Sequence, residues 1–203
     1  MFHLAMTQSS SERAYKPTEI TLHWLMAFVL TMTFGLGLYM VDMPFSPDKL
    51  RYYSWHKWIG VSLFMLAGLR LAVRLATSRV PETISRRNSS SVAKAGWQDM
   101  AATWAHRLLY FLMFAVPVSG WLMSSAKGVP TVYFGVWQLP DLVDKNVALG
   151  RSLRSLHMLL NFSMAGIVFV HVAAALKHHL IDRDNVLARM LPGLKTRSAE
   201  GPQ

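Results

Sequence analysis

The chain has 203 residues, of which 52% are hydrophobic and 16% charged, and it carries a formal net charge of +10. A soluble domain of this length holds about a quarter charged residues, so composition points away from a soluble fold and towards a membrane. The sequence contains no cysteine, which excludes disulfides, thiolate-held metal clusters and covalent cofactor attachment through C-x-x-C-H.

Residues 1–14 are polar and are expected to be a mobile N-terminal segment. The first apolar run, Ile20–Val41, holds no Asp, Glu, Lys or Arg over 22 residues. At about 1.5 Å per residue such a run crosses a hydrocarbon layer of roughly 30 Å. It is too long for a signal-peptide h-region and no small-x-small cleavage site follows, so it is expected to stay as a helix over about 20–41. A second helix is expected over 55–75, apolar in its middle, with Lys57, Arg70 and Arg74 near its ends, where long cations can snorkel to the interface. The Ser- and Arg-rich stretch S-R-R-N-S-S-S, residues 85–91, reads as a solvated loop.

The third helix, over 105–126, contains the charge-free run Leu108–Ala126, and the fourth, over 154–177, contains Leu156–Leu176. Between them, G-V-P-T-V-Y-F-G-V-W-Q-L-P (128–140) mixes aromatics with Gly and Pro. It reads as an irregular segment in the interface, where Tyr and Trp rings are favoured. Residues 194–203 are expected to be a mobile tail. The fold class is therefore all-α: an integral membrane, up-and-down four-helix bundle in one domain, 15–193.

With four spans, both termini and the loop between helices two and three share one side. That side holds 14 of the 21 Lys and Arg residues and the other holds seven, which places both termini in the cytoplasm by the positive-inside bias. The surplus of positive charge is a topology signal and a contact with membrane lipid. It does not call for nucleic acid.

Five of the eight histidines fall in an ordered pattern: His23, His56, His106, His157 and His171. The first four lie near the start of successive helices, so His23 and His106 are expected towards the cytoplasm and His56 and His157 towards the outside. His171 follows His157 by 14 residues, within about 40° of the same helix face and roughly 21 Å along the axis. The same step leads from His23 to Gly37, from His106 to Gly120 and from His56 to Arg70. Two layers follow. The outer holds His56 and His157, with Gly37 and Gly120 leaving room for a flat macrocycle. The inner holds His171 with either His23 or His106, and Arg70 beside them. A single histidine at a helix end is as readily an interfacial polar residue, and the His178–His179 pair is read that way. His171, inside a charge-free run, is not so easily explained. Facing imidazoles suit haem iron, and a fully ligated bis-histidine iron favours electron transfer over oxygen binding.

The stretches Y-K-P-T-E-I-T-L-H-W-L (15–25), W-H-K-W-I-G (55–60) with L-R-L-A-V-R-L (69–75), H-R-L-L-Y-F-L-M-F-A-V-P-V-S-G (106–120), and the region from His157 through H-V-A-A-A-L-K-H-H to R-M-L-P-G (193) carry a family likeness. In this order they resemble the bacterial cytochrome b561 family, the short four-helix haem b proteins of the inner membrane. The resemblance implies two haem b groups, the inner on His23 and His171 and the outer on His56 and His157, which leaves His106 as a neighbour. It also implies electron transfer from superoxide outside to ubiquinone in the membrane. Related b-type subunits instead anchor dehydrogenases or hydrogenases as electron relays, and that is the alternative; a protein partner is possible but not required. Lys57 beside His56, and Arg151 and Arg154 before His157, form a cation group suited to steering a small anion inward. Contact with phospholipid headgroups or haem propionates is the plainer use of the same charges.

Overall fold

A computed structural model describes residues 17–78, 97–182, 187, 190 and 191; the expected mobile segments 1–14 and 194–203 and the 85–91 loop lie outside the described residues. Four long helices carry the fold: α1 (Pro17–Asp42), α2 (Pro47–Ser78), α3 (Trp97–Ala126) and α4 (Val147–Leu180). Each is long and apolar enough to span a membrane. Successive helices pack side by side, α3 against α4 most extensively. Large apolar side chains stay on the outside of the bundle; Phe169 is 74% exposed. Lipid is the solvent that makes this stable, because tails are as apolar as the side chains facing them.

The helices run further than the charge-free stretches do: α2 starts at Pro47 and α4 at Val147. The ends are set by caps instead of by hydropathy. Ser46 Oγ accepts from Lys49 N at 3.2 Å just before Pro47, a residue suited to a first helical turn. Asn146 Oδ1 accepts from Leu149 N at 3.0 Å and starts α4. Such a cap is worth about 1 kcal/mol. Lys49, Arg51, Arg151 and Arg154 therefore stand on helices. Lys49 Nζ also donates to the carbonyls of Val41 and Met43 and closes the α1–α2 turn.

The interfacial segment between α3 and α4 has more order than expected. It contains a two-stranded antiparallel hairpin, β1 (Val132–Tyr133) and β2 (Trp137–Gln138), with Val132 opposite Gln138 and Tyr133 opposite Trp137. Its turn places Phe134 at φ 50 and Gly135 at φ 74. The hairpin leans on α2: Trp58 Nε1 donates to Val132 O at 2.6 Å, and Ser62 Oγ and Tyr133 Oη are 2.9 Å apart.

Between the two ends of the bundle lies an apolar midsection. Leu112, Val116 and Met164 are buried there, with Leu30, Leu160, Ile167 and Val168 packed against them. On α4 no charged residue or histidine stands between His157 and His171.

Candidate functional site

The histidines form two groups, one at each end of that midsection. At the end carrying the α1–α2 turn and the hairpin, the rings of His56 and His157 have centroids 6.4 Å apart and planes at 86°. At the end carrying the start of α1 and the end of α4, His171 stands between two other imidazoles. His23 is 6.5 Å away at 67°, and His106 is 5.2 Å away at 81°. Alternating helix direction and the 14-residue step on α4 thus bring together five residues spread over 149 positions of sequence.

Ring separation carries chemical content. A metal held at about 2.0–2.1 Å from one nitrogen of each imidazole puts the two ring centres about 6 Å apart. The His56–His157 and His23–His171 pairs have that spacing. His106–His171 is closer, the spacing of rings in edge contact.

The nitrogen not used for a metal should be held by a second partner. His157 meets this condition: its Nδ1 lies 2.9 Å from Ser119 Oγ and 3.2 Å from Val116 O. Ser119 Oγ itself donates to Val116 O at 2.7 Å, so Nδ1–H donates into this pair and Nε2 keeps its lone pair. Pro117, which cannot supply an N–H to the helix ladder, lies in the same turn of α3. His106 Nδ1–H donates to Ala102 O at 2.7 Å. Nδ1 of His23 and of His56 are buried without a hydrogen bond among the described residues; the Thr33 backbone approaches His56 without reaching hydrogen-bond geometry. In this they differ from His157, and His179 Nδ1 is in the same position away from both levels.

The glycines at the His56–His157 level leave little to spare. A Cβ on Gly37 would stand 3.1 Å from His56 Cε1, and one on Gly120 would stand 3.1 Å from His157 Cε1. Any side chain at either position would push against an imidazole. The glycines make room for the imidazoles, and the 6.4 Å between the ring centres fits a group ligated from both faces. At the other level, the Arg70 guanidinium is near enough to act electrostatically on both His23 and His171. It also lies 5.9 Å from the Tyr110 ring, which Arg74 approaches at 5.3 Å. Trp24, whose ring meets His23 at 5.4 Å, donates to Met190 O at 2.6 Å.

The three cations singled out in the sequence do not share one role. Lys57 Nζ donates to Val129 O and Pro130 O, both at 3.2 Å, and secures the connecting segment to α2. Arg151 and Arg154 are exposed on the first turns of α4. A fourth cation, Lys127, was missed by reading the sequence. Partial burial, and then the charge of Arg154, pull its ammonium below the ordinary lysine range. Its position next to a span end was visible, but its reach across to α4 is a tertiary fact. Among the described residues no group of three or more carboxylates, histidines or cysteines is placed to bind a bare metal ion. His178 contacts Asp182, its Nδ1 2.9 Å from Oδ2, apart from the two levels.

A family model described as Prokaryotic cytochrome b561 matches residues 14–193. Among curated proteins, Cytochrome b561 homolog 2 of Escherichia coli (strain K12) is 31% identical over 193 residues, covering 92% of this chain and 95% of the relative. Probable superoxide oxidase CybB of Yersinia pestis is 25% identical over 185 residues, covering 89% of this chain and 97% of the relative. Cytochrome b561 homolog 1 of E. coli (strain K12) is 24% identical over 184 residues, covering 89% and 98%. Four membrane-length helices, facing imidazoles and this match agree: the chain belongs to the prokaryotic cytochrome b561 family, multi-pass proteins of the bacterial inner membrane that bind haem b and transfer electrons.

Proposed function

We propose that the protein holds two haem b groups, one on His56 and His157 and one on His23 and His171, and passes electrons from superoxide to ubiquinone. The ring-centre separations of 6.4 and 6.5 Å carry this reading, because they match a metal between two imidazoles. The name of the Y. pestis relative supports the choice of superoxide. Haem iron, when bound, supplies one-electron chemistry. The chain's own residues do the rest. Ser119 and Val116 fix the tautomer of His157. Gly37 and Gly120 leave the space that the imidazoles of His56 and His157 occupy. Arg70 stands ready to pair with a haem propionate. The cations Lys57, Arg151 and Arg154 lie at the His56–His157 end and raise the local concentration of a small anion.

In this reading the His56–His157 end faces outwards and both termini lie in the cytoplasm, following the 14-to-7 bias of Lys and Arg. The net reaction balances as two superoxide anions, one ubiquinone and two protons giving two dioxygen molecules and one ubiquinol. Residues 15–193 act as one domain, self-contained in the bilayer.

The test is the purified protein alone. Pyridine haemochrome quantitation should give about two haems per chain, both low-spin. Pulse-generated superoxide should then reduce them, and added ubiquinone should reoxidise them. One haem or none in well-folded protein would overturn the two-level reading. Two haems inert to superoxide would favour the alternative, an electron-relay anchor subunit of a larger dehydrogenase or hydrogenase.

A further inference from the structure

Gly150, Arg154 and His157 stand at i, i+4 and i+7 on α4 and so share one helix face. The end of α3 lies directly on that face. Asn146 N–H donates to Ala126 O at 2.8 Å. A Cβ on Gly150 would stand 3.1 Å from Lys127 Cγ and 3.7 Å from the Ala126 carbonyl. Gly150 is buried, so the stem of Lys127 crosses α4 only because that position has no side chain. Two turns further along the face, about 10 Å at 1.5 Å per residue, is His157.

The charge of Lys127 acts on both Arg154 and His157. Lys127 forms no ion pair among the described residues. Lys57 differs: its ammonium sits on two carbonyls, and the Asp141 carboxylate acts on it. The N-terminus of α4 adds its own partial positive charge beside Lys127.

We infer that Lys127, held across Gly150 at the head of the His157 face, adds to Lys57, Arg151 and Arg154 a fixed charge that makes this end of the bundle select anionic over cationic electron-exchange partners. The inference rests on the proposed haem at His56 and His157 but not on superoxide being the physiological donor. Lys127 is a positioning residue here; it touches no reacting atom.

The experiment uses chemically reduced, haem-loaded protein in nanodiscs of neutral lipid. Its stopped-flow oxidation is followed with ferricyanide, an anion, and with tris(phenanthroline)cobalt(III), a cation. The quantity read is the ratio of the two rates. At low ionic strength Lys127→Gln should lower this ratio about two- to fivefold, and Lys127→Glu should lower it further. Lys127→Arg should restore it, and Gly150→Leu should mimic Lys127→Gln by displacing the stem. High salt should bring all variants together. A ratio unchanged in both Lys127→Gln and Lys127→Glu would overturn the inference, as would loss of haem from Lys127→Gln, which would make Lys127 a haem-holding residue. A shift seen only in anionic-lipid discs would overturn it too, assigning Lys127 to headgroups. If the ratio shifts as expected while superoxide leaves the haems oxidised, the selective end stands and the superoxide reading falls. If superoxide reduces the haems and the ratio never moves, the reverse holds.

Discussion

The two ends of the bundle offer imidazoles in different ways. At the hairpin end there are two among the described residues, with the Nδ1 of His157 held by Ser119 and Val116 and both rings pressed by glycines. At the terminal end His171 faces two others, and the pair with the closer ring centres is not the pair with metal-ligand spacing. One level is tight and without substitutes, while the other is crowded and more open. The lesson is that histidine count and proximity are poor guides to ligation. Spacing across a missing atom, and the partner of the second ring nitrogen, say more.

Ligand removal tests the comparison with the largest expected effect. His56→Ala or His157→Ala should drop haem from about two to about one per chain, because among the described residues no third imidazole serves that level. His171→Ala should remove the other haem, since both neighbours pair through it, whereas His106→Ala should keep two. Pyridine haemochrome assays and low-temperature spectra distinguish these cases. If His106→Ala loses a haem while His23→Ala does not, the pairing at the crowded end is the other way round.

A smaller effect probes how the tight level is built. Ser119→Ala removes the hydroxyl beside His157 Nδ1, and loss of such an orienting partner typically weakens ligation about 10- to 100-fold. Haem retention during washing or competition with apomyoglobin should fall for one of the two haems only. Equal loss from both levels would mean that Ser119 matters to α3 as a whole and not to His157.

Much of this arrangement was legible in the sequence. Charge-free runs located three of the spans, because lipid tolerates few ionised groups, and the second was legible from its apolar middle with cations kept near its ends. The 14-residue step placed His157 and His171 at separate depths on one face. The helix ends were less legible from hydropathy, since α2 and α4 continue past the apolar stretch into polar turns. Ser46 with Pro47, and Asn146, were the signals to read there. The hairpin escaped notice because its strands have two residues each and its turn holds Phe134 at a positive φ, a conformation bulky residues seldom adopt. Lys127 was illegible because its role depends on α3 meeting α4 at Gly150.

The smallest expected effect concerns the terminal end, where Lys177 Nζ meets Asp182 Oδ2 at 2.7 Å. Hydrogen bonding from Lys177, with further help from His178, holds the Asp182 carboxyl below the usual aspartate range. A depressed carboxylate contributes stability above its unfolded pKa, and this is lost as pH falls through the folded value. The amides of Ile181 and Asp182, both bonded to Lys177 O, should lose exchange protection on going from neutral pH to about pH 3. Asp182→Asn should remove that pH dependence, while amides beside His157 should not respond. Matching behaviour at both ends would show general acid unfolding instead.

The apolar midsection around Leu112, Val116 and Met164 has an electrical consequence. With no ionisable side chain on α4 between the two histidine levels, that stretch provides no relay for protons, while an electron needs none. Charge crossing between levels separated by roughly 21 Å of a 30 Å layer would therefore move uncompensated through about two-thirds of the membrane field. At about 2.3 kcal/mol per charge per 100 mV for the full thickness, each 100 mV would bias that crossing by about 1.5 kcal/mol. If both levels carry haem as proposed, throughput should depend on how strongly the cell has energised its membrane.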